Sequence, residues 1–259
     1  MKLGIENRLA LVTGAGRGIG RAICESLENE GVRLIAVSKG QDGLDSLKKV
    51  LNKDFGHTFI SIDLENKGAV EKLILKIRTL RLSPDIIVNN AGGTLNFTDP
   101  LQTMKGWSKV MRLNVEIGIE INEAFIPEMQ KKKWGRICHI SSISAIENQG
   151  SPAYCASKAA LNAYVRSVAR YISQDNVIIT TVLPGPFFTK GGYWDETLQN
   201  RPQHVKRYLN ERMAIKRFGK LSEISEAVTF LCSENAGFCV GTCMVIDGGQ
   251  GRSFYPSES

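Results

Sequence analysis

The chain has no apolar stretch approaching the roughly 18 residues that a membrane-spanning helix requires. Its opening segment, MKLGIENRLALV, holds only four apolar residues in a row before Thr13, too few for a secretory core, so the expected location is the cytoplasm. The six cysteines, Cys24, Cys138, Cys155, Cys232, Cys239 and Cys243, contain no CxxC pair; a reducing compartment needs no staples, and they are read as buried thiols. Histidine is scarce. His57, His139 and His204 share no metal-ligand spacing with the cysteines, so no metal site is expected, and His139 lies inside an apolar strand as a core imidazole. Despite a net charge of +7, no basic stretch is interleaved with aromatics as a nucleic-acid stacking platform requires. The basic residues cluster instead at Lys131 to Lys133 and between Lys190 and Arg217, as a solvated face or as an attractor of anionic cofactor or substrate. There is also no Pro/Gly/Ser-rich linker, internal repeat or low-complexity segment, which predicts one domain over residues 1–259.

What the chain does have is alternation. Short apolar runs at Leu9 to Thr13, Arg33 to Val37, Thr58 to Ile62, Ile86 to Asn89, Arg136 to Ser141, Val177 to Leu183 and Met244 to Ile246 are separated by helical patterns. All-apolar strands divided by helices indicate a parallel sheet covered on both faces, hence an α/β, doubly wound, Rossmann-type fold. Such sheets bind ligands at the carboxyl ends of the strands, where strand order reverses.

The first strand runs into TGAGRGIG, Thr13 to Gly20. Position six counted from Gly14 is Ile19, so the match is to G-x-x-x-G-x-G through Gly14, Gly18 and Gly20. Glycines there allow a tight turn, close backbone approach and a pyrophosphate at the helix N-terminus. An acidic residue at the end of the second strand would hold a ribose 2′-hydroxyl and repel a 2′-phosphate. This chain has Ser38 and Lys39 there, with Arg17 in the glycine turn, which favours NADP(H) over NAD(H). Asp63, followed by Leu64, is placed to accept from the adenine amino group, and Asn90, Ala91 and Gly92 follow the fourth strand beside the cofactor.

Tyr154 and Lys158 stand four positions apart in YCASK, twelve residues after Ser142. On a helix that spacing puts both on one face, where the ammonium is expected to lower the phenol's pKa and ready it for proton exchange with an alcohol or carbonyl oxygen.

These motifs, with NNAG at Asn89 to Gly92, Asn114 in LNV, and Pro184-Gly185 after the sixth strand, make the chain resemble the classical short-chain dehydrogenases/reductases over nearly its full length. Within them it resembles the 3-oxoacyl-carrier-protein reductases and related carbonyl reductases. The resemblance implies Tyr154 as general acid/base, Lys158 as the group that tunes it and binds the nicotinamide ribose, and Ser142 as hydrogen-bond partner of the substrate oxygen. It implies Asn114 holding a water beside Lys158, and Thr189 on the nicotinamide carboxamide or pyrophosphate. The interval from Ser142 to Tyr154 is one residue shorter than the family's usual spacing, leaving Ser141 and Ser144 as lesser candidates. The segment at about 190–215 would be a substrate lid; its Tyr193, Trp194, His204, Lys206, Arg207, Tyr208 and Arg212 suggest an anionic substrate.

The implied activity is hydride transfer between NADP(H) and a ketone or secondary alcohol, the substrate being a 3-oxoacyl thioester on a carrier protein, a sugar or another small alcohol. A cofactor-binding sensor or scaffold without turnover is the alternative. Apolar faces around Val110, Ile117 and Ile121, and around Leu161, Val165 and Val168, exceed what the sheet needs, so a homodimer or homotetramer is expected.

Overall fold

The apolar runs become strands of four to eight residues in the computed structural model, which describes residues 2–147 and 149–252. Among these residues the strands are β1 (Leu9–Thr13), β2 (Arg33–Ser38), β3 (Thr58–Ser61), β4 (Ile86–Asn89), β5 (Gly135–Ile140), β6 (Val177–Pro184) and β7 (Cys243–Ile246). They form one all-parallel sheet in the order β3-β2-β1-β4-β5-β6-β7. The order reverses between β1 and β4, so the crevice at their carboxyl ends is the place where this architecture takes a ligand. Several strand ends differ from the sequence reading by one residue, because pairing with a neighbour extends or trims an apolar run; β6, for example, carries its ladder through Pro184 opposite Ile246.

The helices are α1 (Gly18–Asn29), α2 (Gln41–Val50), α3 (Ala69–Thr79), α4 (Met104–Met111), α5 (Ile117–Lys132), α6 (Pro152–Ile172), α7 (Tyr193–Asn200), α8 (Pro202–Arg212) and α9 (Leu221–Leu231). Strand side chains alternate between two cores. Ala10, Val12, Leu34, Ala36, Ile86 and Val88 face α1, α2 and α9 through Ile23, Leu27, Leu44, Leu47, Ile224 and Val228. Leu11, Ile35, Val37, Ile87, Ile137 and Ile179 face α3, α5 and α6 through Leu73, Ile77, Ile121, Phe125, Val165 and Ala169. Each such aliphatic side chain contributes about 1.5–3 kcal/mol when fully buried, so both helical layers are held on independently of their polar surfaces.

Three expectations change here. Cys24, Cys138 and Cys232 are buried, but Cys155 on α6, Cys239 at the edge of the core before β7 and Cys243 on the edge strand β7 are partly exposed. The segment after β6 is not an extended loop: it folds as α7 and α8. The faces expected to remain for a partner are largely used within the chain: Val110, Ile117, Ile121, Leu161 and Val165 are at most 2% exposed, and Val168 is partly buried against the same core. Among the described residues, no helix is long and apolar enough to cross a membrane, and no group of three or more His, Cys, Asp and Glu could hold a metal.

Candidate active site

The turn after β1 is shaped by glycine. Gly14 has φ +66° and Gly18 φ +55°, left-handed values that L side chains rarely adopt. A Cβ on Gly14 would stand 2.6 Å from Asn90 Nδ2, and one on Gly18 3.2 Å from Thr189 Cγ2. Thr13 laces this turn to β4: its Oγ1 accepts from the backbone N–H groups of Asn90 and Ala91, both at 3.0 Å. The Asn90 side-chain amide donates to the carbonyls of Thr13 (3.0 Å) and Gly14 (3.2 Å). Arg17, the residue before α1, makes no side-chain cap, so the first N–H groups of the helix remain available to an anion.

A cavity of about 420 Å³ opens over this turn. Gly14, Arg17, Gly18, Ile19 and Gly20 form one wall; Asn90, Ala91, Gly92 and Gly93 continue it from β4. Ile140, Ser141 and Ser142 at the end of β5 meet Tyr154 and Lys158 of α6 on the opposite side. Pro184, Gly185, Phe187, Thr189, Gly192 and Trp194, following β6, complete the lining.

α6 starts with Pro152 in its first turn and places Tyr154 and Lys158 one turn apart. Lys158 is buried, and its Nζ donates to the Ile140 carbonyl at 2.8 Å and sits 5.6 Å from the centroid of the Tyr154 ring. Burial draws the Lys158 ammonium down to about 7. Tyr154 departs from expectation: desolvation pushes its phenol above the ordinary value, while a hydrogen bond with Ser142 pulls the other way. The reason is geometric, since the ammonium faces the ring and the Ile140 carbonyl, leaving desolvation of the phenolate as the larger effect. Ser142 Oγ accepts from the Ser144 N–H (3.1 Å) and donates to Ser144 Oγ (3.1 Å), and Ser144 Oγ donates to the Gln149 carbonyl. Ser141 Oγ turns instead to the Lys158 carbonyl at 3.3 Å.

Asn114 occupies a wide helical turn, Arg112–Glu116, between α4 and α5. Its amide donates to the carbonyls of Gly93 (2.8 Å) and Val110 (2.9 Å), and its Oδ1 accepts from the Gly93 N–H (3.0 Å). The side chain therefore pins the Gly93 loop, and Asn114 itself is not part of the cavity wall.

The residues expected at the adenosine end lie outside the cavity wall. Ser38 backs the glycine turn, where a Cβ on Gly16 would come within 2.6 Å of its Oγ. Lys39, 69% exposed, pairs with Asp63 at 2.9 Å and Glu65 at 3.6 Å, and the hydrogen bond and charge of Asp63 raise its pKa. Asp63, expected to meet adenine, is thus engaged with Lys39. The Leu64 side chain belongs to the core, leaving only its backbone for a ligand. No basic side chain of the 190–215 segment lines the cavity; that segment contributes Gly192 and Trp194, so support for an anionic substrate is lost.

Phe187, Gly93, Ile140 and Gly192 line the cavity without standing in any of the motifs above, and Trp194, named above only for the lid, lines it too. Two had signals: Phe187 lies two residues after the Pro184-Gly185 turn, and Trp194 stands in the aromatic stretch after Thr189.

A family model described as enoyl-(acyl carrier protein) reductase, one of the short-chain dehydrogenase/reductase set, matches residues 14–250. The chain belongs to the short-chain dehydrogenases/reductases. It is 33% identical over 246 residues to a 3-oxoacyl-[acyl-carrier-protein] reductase of Buchnera aphidicola, covering 95% of this chain and 98% of the relative. L-sorbose reductase from Gluconobacter frateurii, solved with NADPH and L-sorbose, superimposes with a TM-score of 0.88 at 28% identity, over 96% of this chain and 98% of that one. A 3-oxoacyl (acyl-carrier-protein) reductase from Agrobacterium tumefaciens, solved with NADP, gives a TM-score of 0.87 at 30% identity, over 96% of each chain. This member of the family is an NAD(P)-dependent oxidoreductase acting on CH–OH or C=O groups.

Proposed function

We propose that the enzyme reduces a ketone to a secondary alcohol with NADPH, with Tyr154 as general acid. The observation that carries this reading is the convergence of Ser142, Tyr154 and Lys158 on one wall of the cavity, facing the glycine turn. The residues fit a dinucleotide. Side chains at Gly14 and Gly18 would fill the cradle, and the free N–H groups of α1 suit a pyrophosphate. Gly14, Arg17, Gly18, Ile19 and Gly20 would hold the phosphates, Asn90, Ala91 and Gly92 the adjoining ribose, and Pro184, Gly185 and Thr189 the nicotinamide end. Ser38, Lys39 and Asp63, with the Leu64 backbone, would meet the adenosine end; the lack of a carboxylate at Ser38 and Lys39 favours NADP(H).

The bound cofactor supplies the hydride. Tyr154, kept protonated by its raised pKa, gives its proton to the carbonyl oxygen as negative charge develops there, so that ketone, hydride and proton yield the alcohol. Ser142 donates a second hydrogen bond to that oxygen. Lys158, charged below pH about 7, stabilises the phenolate left behind and reaches the nicotinamide ribose. Asn114 holds the Gly93 loop against this group, and with it a water beside Lys158. α7 and α8 act as the lid.

A 3-oxoacyl thioester is the first substrate to try, because relatives of similar length carry that activity in their names; a ketose is the second. NADPH oxidation, followed by absorbance with acetoacetyl thioester and L-sorbose, tests the reading. Tyr154→Phe should lower kcat by about 10²–10⁴-fold, the range for a general acid, with NADPH affinity nearly unchanged. Near-normal kcat would refute the assignment. The same proposal includes action in the cytoplasm as a homodimer or homotetramer, which light scattering of the purified chain tests.

A further inference from the structure

Ser142 belongs to a hydrogen-bonded chain longer than the catalytic group. Its Oγ stands beside Tyr154, where it offsets part of the desolvation of the phenol, and donates to Ser144 Oγ. Ser144 has one hydroxyl proton, which goes to the Gln149 carbonyl, so its lone pairs are free to accept from Ser142. The Gln149 side chain then takes one hydrogen from the Gln250 amide, and the other Gln250 hydrogen goes to the Tyr208 hydroxyl on α8. The Tyr208 ring lies 4.4 Å, centroid to centroid, from that of Trp194, which lines the cavity. Ser144 is 8% exposed and Gln250 4%, so solvent is not at hand to replace these bonds. One strap thus joins the Ser142 hydroxyl on one side of the cavity to the aromatic wall that α7 presents on the other. It bridges the interval that is one residue shorter than the family's usual spacing.

We propose that Ser144 is a positioning residue for Ser142 and that the strap through Gln149, Gln250 and Tyr208 couples the orientation of the Ser142 hydroxyl to the seating of the lid. The inference rests on the roles proposed above for Ser142 and Tyr154. Ser144 offers an acceptor that holds the Ser142 hydroxyl beside Tyr154 until a carbonyl arrives, when the one Ser142 proton turns from Ser144 Oγ to the carbonyl oxygen. Tyr208, held by Gln250, keeps Trp194 against the space that the carbonyl enters.

The test is steady-state kinetics on whichever of acetoacetyl thioester and L-sorbose is turned over. Ser144→Ala should lower kcat about ten-fold, less than the 10²–10³-fold loss typical of removing an oxyanion donor itself, with the NADPH KM unchanged, and Ser144→Thr should restore it. Tyr208→Phe, which keeps the ring against Trp194, should raise the carbonyl KM several-fold. In the double variant the combined loss should fall well short of the product of the single losses, because cutting one strap twice adds little. Wild-type kcat in Ser144→Ala, or equal loss in Ser144→Thr, overturns the positioning role. Losses that multiply, or an unchanged KM in Tyr208→Phe, overturn the coupling, and Tyr208→Phe decides this even if Ser144→Ala does not fold. Ser142→Ala separates the two layers: if it retains turnover, the underlying reading falls and the strap with it, whereas an inactive Ser142→Ala beside a fully active Ser144→Ala overturns the strap alone.

Discussion

Lys158 carries a charge in a dry place, and the effect on stability has a definite sign. Its pKa is 10.5 when unfolded and about 7 in the folded protein, so between these values the unfolded chain binds the extra proton and the stability of the native state rises with pH. Below about pH 7 the cost of burying the ammonium is present in full. Lys158→Met removes that cost, so its Tm measured against wild type should be most favourable near pH 7 and should lose ground steadily toward pH 10, while turnover is lost throughout. A Tm difference independent of pH would show that Lys158 is not desolvated. Lys39 belongs to the same scale. Lys39→Asp replaces a cation at the end of β2 by a carboxylate beside Asp63 and Glu65, and the ratio of kcat/KM for NADPH over NADH should fall by about ten-fold or more, the size of one charge-assisted bond. An unchanged ratio would place the 2′-phosphate elsewhere.

At the scale of elements, the β1–α1 turn combines two constraints in one residue. Gly14 has a left-handed backbone, which costs an L side chain about 1–2 kcal/mol, and it faces the Asn90 amide that ties β4 to β1. Gly14→Ala should therefore lower Tm and weaken NADPH binding by about ten-fold or more, as measured by calorimetric titration, a loss of roughly 1.4 kcal/mol. Normal affinity would mean that Asn90 moves aside freely. The wide turn at Arg112–Glu116 has a comparable logic: the Asn114 amide bonds the Val110 carbonyl and the Gly93 backbone together, joining a helix to the loop after β4.

At the scale of the whole molecule, the site and the anchorage of the sheet lie at opposite strand ends. Trp134, just before β5, has Arg8 3.8 Å above its ring and Arg136 4.7 Å from its ring centroid, and its Nε1–H donates to Glu234 at 2.6 Å. Arg136, 1% exposed, donates to the carbonyls of Ser233 (2.8 Å), Gly135 (2.9 Å) and Asn176 (3.0 Å). This cluster joins the N-terminal segment, β5, the start of β6 and the turn after α9. Trp134→Ala should cost about 3–5 kcal/mol in urea unfolding, yet leave kcat/KM near wild type at permissive temperature, because the eight extended residues through β5 separate it from Ser142 by about 26 Å at roughly 3.3 Å per residue.

Much of this was legible from the chain alone. Runs such as Leu9 to Val12 and Val177 to Leu183 carry almost no charged or strongly polar residues on either face, as a sheet covered on both faces requires, and the glycines of Thr13 to Gly20 mark the turn that needs left-handed backbone. The i, i+4 spacing of Tyr154 and Lys158 requires nothing beyond the helix itself. Tertiary structure decided what depends on distant neighbours: that Lys158 faces the Ile140 carbonyl and the tyrosine ring, so that burial raises the phenol's pKa; that Asp63 holds Lys39; that Val110 and Leu161 are covered within the chain; and that Gln250 reaches Gln149 and Tyr208. Local pattern encodes which face a side chain takes, but the charge, solvent and hydrogen-bond partners it meets there come from segments that only folding brings together.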